Sequence, residues 1–118
     1  MSIRIKRAYE PAAVGDGERI LVDRLWPRGL SKRAAAIDQW LREVAPSTAL
    51  RRWFAHDPAR WREFKRRYFA ELDAVRDTVH DLALRARSRR ITFVYGARDE
   101  QHNDAVALRE YLRRRYRV

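Results

Sequence analysis

The sequence predicts an α/β protein: one compact domain over residues 1-118, built on a small sheet, mostly parallel or mixed, flanked by helices. Two short apolar runs, Ile20-Leu21-Val22 and Ile91-Thr92-Phe93-Val94-Tyr95, have the length and continuity of strands buried on both faces. Between them Trp61, Phe64, Tyr68 and Leu72, then Val75, Val79 and Leu82, recur at three and four, the period of helices laid on a core. A chain of 118 residues can close one hydrophobic core and is too short for two. Strands separated by helices in this way stack as a sheet between helical layers.

Each element follows from local chemistry. Residues 2 to 8 alternate, Ile3 and Ile5 against Arg4 and Lys6, as a half-buried strand does. Glu10-Pro11 and Gly15-Asp16-Gly17 punctuate the link to a second strand, roughly Arg19 to Arg24, which Pro27 and Gly29 stop. Ser31 caps a short helical turn through Ala36, and the stretch from Ile37 to Val44 alternates too poorly for a strand, so it is expected to be helical. Ser47 caps a helix from Leu50 to Phe54. Asp57 before Pro58 opens the longest helical stripe, with a break near Asp73. The last strand ends at Gly96, and His102 to Arg115 forms a helix on Ala105, Leu108 and Leu112.

Composition narrows the function classes. No apolar run approaches the roughly 18 to 20 residues of a membrane span, and no signal-peptide core follows the first six residues, so a soluble, cytoplasmic protein without membrane contact is expected. The chain has no cysteine, which excludes disulfides and thiolate metal sites. Its 27 basic against 16 acidic residues give a net charge of +11, a surplus that favours phosphates and other polyanions; nearly all of it is arginine, as a GC-rich genome alone would also produce.

In open α/β sheets ligands collect outside the carboxyl ends of the strands. Two segments leave such ends here, Asp23 to Lys32 and Tyr95 to Asp104. Arg24, Arg28 and Lys32 on the first, with Tyr95, Arg98 and Asn103 on the second, suit an anion, because guanidinium forks bind phosphate bidentately. Trp26 is placed to stack a planar group or to plug the sheet, whereas Trp40, Trp53 and Trp61 read as core. Arg24 beside a buried run requires an acidic partner, and Asp99 is the expected one. Asp99, His102 and His56 are the candidate acid and base groups; capping of the last helix accounts equally well for Asp99. No phosphate-loop or dinucleotide fingerprint and no spaced histidine pair occurs, so neither cofactor nor metal is expected.

The segments L-V-D-R-L-W-P-R-G (Leu21 to Gly29), A-P-S (Ala45 to Ser47), W-F-x-H-D (Trp53 to Asp57), Glu63-Phe64 to Tyr68, and Y-x-A-x-D-E-x-H-N (Tyr95 to Asn103) resemble the YeaO-like family of small bacterial proteins, domain of unknown function 488. The resemblance runs along nearly the whole chain. Gly96 stands where that family usually carries a small residue with a Cβ, and Arg98 where it often has lysine. The family implies an α/β fold and no established activity, so it assigns no catalytic residue.

The leading expectation is a basic pocket that binds a small anionic, phosphorylated or nucleotide-like ligand, with turnover by hydrolysis or transfer left open. The alternative is a nucleic-acid-binding module without catalysis, using the Arg60 to Arg67 helix face and the basic segment Arg113 to Arg117. The plain reading of that helix face is solvated charge.

Overall fold

The computed structural model describes residues 3–118. Strands β1 (Ile3–Arg7), β2 (Glu18–Leu21), β3 (Gln39–Trp40) and β4 (Ile91–Tyr95) form one sheet in the order β1-β4-β2-β3. Every pairing is parallel. The helices are α1 (Lys32–Ala35), α2 (Thr48–Phe54), α3 (Trp61–Asp73), α4 (Arg76–Ser88) and α5 (Asp104–Tyr116), with 3-10 turns at Val14–Asp16, Arg42–Val44 and Pro58–Arg60. The expected α/β architecture is present, and its sheet is wholly parallel.

The period of two in the strands divides the core. Ile3, Ile20, Val22, Ile91, Phe93 and Tyr95 face α2 to α5 and meet Phe54, Phe64, Tyr68, Leu72, Leu82 and Leu108. Leu21 and Val94 face the other way, toward a smaller layer of Trp26, Leu30, Ile37 and Trp40. Arg19 is buried beside this second layer with every polar reach filled: its guanidinium donates to Asp16 Oδ2 at 2.7 Å, to the Ala35 carbonyl at 2.9 Å and to the Ala36 carbonyl at 3.1 Å. Lys6 supplies a second cation to Asp16 at 3.2 Å.

Caps sit where the sequence puts them. Ser31 and Ser47 accept from the amides of Ala34 and Leu50, and Asp57 accepts from Ala59 ahead of Pro58. The long stripe divides after Asp73 into α3 and α4. Three expectations are corrected. Residues 37 to 44 are not a helix; they hold the two-residue strand β3 and a 3-10 turn, because pairing with Ile20 and Leu21 satisfies a backbone that lacks a helical period. The second strand ends at Leu21, earlier than Arg24, and only the Val22 amide continues the ladder, to Val94 at 3.1 Å. The cap of α5 is Asn103, whose side chain accepts from Val106, while Asp99 builds the turn before it.

Trp40, Trp53 and Trp61 lie at the core's margin rather than inside it, each half-buried. Trp61 stacks on Phe64 with ring centres 5.5 Å apart, and Arg67 covers Trp53.

Candidate functional site

Parallel strands deliver their carboxyl ends to one edge, and a cleft of about 400 Å³ opens there. Tyr9 enters it after β1, Asp23 to Arg28 after β2, Gly96 and Ala97 after β4. The amino end of α5 contributes His102, Asn103 and Asp104. Phe54 and Phe64 form an apolar wall, and Arg51 and His56 reach in from α2 and the turn behind it. Ala55 and His56 both take left-handed backbone conformations, φ 48 and 55°, which end α2 sharply and turn the chain toward Asp57.

Two carboxyl groups meet inside the cleft. Asp23 accepts the Gly96 amide at 2.8 Å and is hydrogen-bonded to Asp104, the first residue of α5. Burial, then the Asp23 charge and the bond between them, push the Asp104 carboxyl well above the ordinary carboxylate range. Asp23 is raised too, by burial first, against the opposing pull of the Asp104 hydrogen bond, the Gly96 amide, Arg51 and His56. Two carboxylates in contact cannot both ionise cheaply, so the pair holds one proton between them and leaves its remaining oxygens as acceptors. A Cβ on Gly96 would lie 3.2 Å from Asp23 Oδ2, a tight fit that a small shift of the carboxylate would relieve.

A second acid–base pair stands at the cleft wall. His102 Nδ1 lies 2.8 Å from Asp99 Oδ2, and its ring meets Trp61 edge-on at 5.3 Å. The amide of Gln101, then the His102 side chain, hold the Asp99 carboxyl below its usual range. An ionised carboxylate only accepts, so Nδ1 carries the proton and Nε2 is left for another partner.

Of the residues the sequence singles out, Arg24, Trp26, Arg28, His56, His102 and Asn103 line this cleft together. Lys32, Tyr95, Arg98 and Asp99 do not line it: Lys32 and Arg98 are exposed, Tyr95 is buried in the sheet, and Asp99 acts only through His102. The expected Arg24 to Asp99 ion pair is absent. Arg24 donates instead to the carbonyls of Pro46 at 2.9 Å and Ala45 at 3.2 Å, which rise beside it at the start of α2. Trp26 is held by its own turn, donating to the Leu30 carbonyl at 2.7 Å and meeting Trp40 edge-on at 5.5 Å.

Sequence reasoning passed over Asp23, Asp104, Arg51, Phe54 and Phe64. Asp23 opens the Asp23 to Lys32 segment, and a carboxylate directly after a buried strand is the available signal. Asp104 carries no signal of its own, since an acidic first residue is ordinary helix chemistry. Among the described residues no group of three or more histidine or acidic side chains is arranged to hold a metal ion. No helix is long and apolar enough to cross a membrane.

Fold and cleft together define a small parallel α/β protein with a site of mixed charge at its strand ends. The chain belongs to the family described as "Inactive DUF488-N3 subclade", whose model matches residues 2–118. It is 42% identical over 113 residues to the uncharacterized protein YeaO of Escherichia coli, a match covering 96% of this chain and 98% of that one. Uncharacterized proteins of Mycobacterium tuberculosis and Mycobacterium bovis are each 42% identical over 90 residues, covering 76% of this chain and 70% of theirs. No solved structure matches.

Proposed function

We propose that the cleft binds a nucleotide-like ligand and holds it without turning it over. One observation carries the reading: the cleft sets exposed cations beside half-buried carboxyls. Arg28, Arg51 and His56 are exposed, whereas Asp23 and Asp104 are half-buried and share the lining with Phe54, Phe64 and Trp26. Guanidinium groups suit a phosphate, and accepting carboxyl oxygens against aromatic walls suit the amino edge and the face of a heterocycle. The word "inactive" in the family's description favours binding over catalysis. Nucleic-acid contact along Arg60 to Arg67 is less well supported, because Arg66 and Arg67 lie 2.6 and 2.8 Å from Glu63 and Arg60 lies 3.6 Å from Asp57.

Calorimetric titration with nucleoside monophosphates, the matching nucleosides and sugar phosphates tests this. A nucleotide should bind and raise the melting temperature. Arg51→Ala should weaken the nucleotide by about tenfold or more, as loss of a charge-assisted hydrogen bond does, leave nucleoside binding unchanged and alter unliganded stability by less than about 1 kcal/mol, as an exposed charge does. No binding by any member of the panel, or equal losses for nucleoside and nucleotide, would overturn the reading.

A further inference from the structure

The amino end of the sheet, opposite the cleft, gathers arginines of a different kind. Helices that cross between parallel strands run against them, so α4 and α5 finish where β1, β2 and β4 begin. Arg4 and Arg90 both donate to the carbonyl of Gly15, at 3.0 and 3.5 Å. Arg109 reaches the Ile3 carbonyl at 3.4 Å, and Arg87 ties α4 to the end of α5 through the Tyr116 carbonyl at 2.7 Å. Arg113 and Arg117 are exposed beside them.

Among the described residues none of these six takes part in an ion pair. That separates them from the α3 face. A carbonyl acceptor fixes a guanidinium in place without neutralising it, so four of the six are oriented while their charge stays uncompensated. The ends of α4 and α5 offset only about half a charge each. Burial first, and then repulsion from the neighbouring Arg113, destabilise the charged form of Arg109, and a bound anion would oppose the second of these.

We infer that this end of the protein is a second binding surface, independent of the cleft, for the phosphodiester backbone of a nucleic acid. Oriented forks that keep free N–H groups match a row of phosphates. A lipid surface fits less well, since the large apolar side chains exposed near it are the isolated Val14 and Leu84, scattered in the way ordinary for any surface.

Fluorescence anisotropy with labelled single-stranded RNA and duplex DNA, titrated across about 50 to 200 mM salt, tests the surface. The affinity should fall by roughly a hundredfold over that range, as release of several counterions requires. The triple variant Arg4→Ala, Arg90→Ala, Arg113→Ala removes three uncompensated charges and should flatten the slope of log affinity against log salt by about 2 to 3. The control pair Arg66→Ala, Arg67→Ala should change it by less than about 1, because Glu63 lies against both and already offsets one of their two charges. Circular dichroism of the triple variant should match the parent, since Arg4, Arg90 and Arg113 are all exposed. No binding to either nucleic acid in low salt, an equal effect of the control pair, or tight binding to anionic vesicles without binding to nucleic acid would each overturn the proposal. Arg51→Ala, placed in the cleft, should leave nucleic-acid affinity untouched; a loss there would collapse the two surfaces into one and refute their independence.

Discussion

Replacing Asp104 by asparagine keeps the contact with Asp23 and removes the shared proton. In the parent chain both carboxyls hold protons more tightly when folded than the ordinary aspartate value of 3.8, Asp104 by the larger margin. A raised folded value fixes the sign: the stability the pair contributes is fully present below the unfolded value and is lost as pH rises through the folded one. Asparagine donates to the Asp23 carboxylate and does not titrate. In acid the variant should therefore lie within about 1 kcal/mol of the parent, one hydrogen bond standing for another. Toward alkaline pH the parent must either keep the proton at growing cost or place two charges in contact, and the variant does neither. Each tenfold preference of the folded chain for the proton is worth about 1.4 kcal/mol. The variant should gain on the parent by about 1.4 kcal/mol for each pH unit above 3.8 over which the folded parent keeps a proton that its unfolded chain has lost. Urea unfolding followed by tryptophan fluorescence as a function of pH measures it. Groups with lowered folded values, such as Asp16 and Asp99, occur in both chains and cancel in the difference. Parallel stability curves for the two chains would refute a shared proton.

The other arginines separate by what they touch. Arg19→Ala should destabilise by about 3 to 5 kcal/mol in urea unfolding, because it removes the nearest cation from a buried carboxylate, leaving Lys6 and the Ala13 amide, and leaves two carbonyls without a donor. A loss below about 1 kcal/mol would mean that water replaces the guanidinium. Arg24→Ala should cost about 1 to 3 kcal/mol through the Ala45 and Pro46 carbonyls, whereas Arg28→Ala should change stability by less than about 1 kcal/mol and act only on ligand affinity. The reverse order in thermal melts would move the structural role to Arg28.

What the sequence determined by itself lies within a few residues of each signal. Ser31, Ser47 and Asp57 cap their elements because a short side chain reaches amides two or three positions on, whatever the rest of the chain does. The α3 and α4 stripes and the β4 run are legible for the same reason, since burial repeats with the element's own period. Parallel topology then places the cleft, for loops leaving parallel strands must meet at one edge. Strand β3 is too short to show a period and exists only because Ile20 and Leu21 offer it partners. The choice of partner for each charge was likewise settled by folding. Arg24 found carbonyls in place of Asp99, Glu63 drew in Arg66 and Arg67, and Asp23 met Asp104 from the far end of the chain. Local patterns fix which residues form an element; which side chains face one another across elements depends on strand order and crossover, and that order is a property of the whole core.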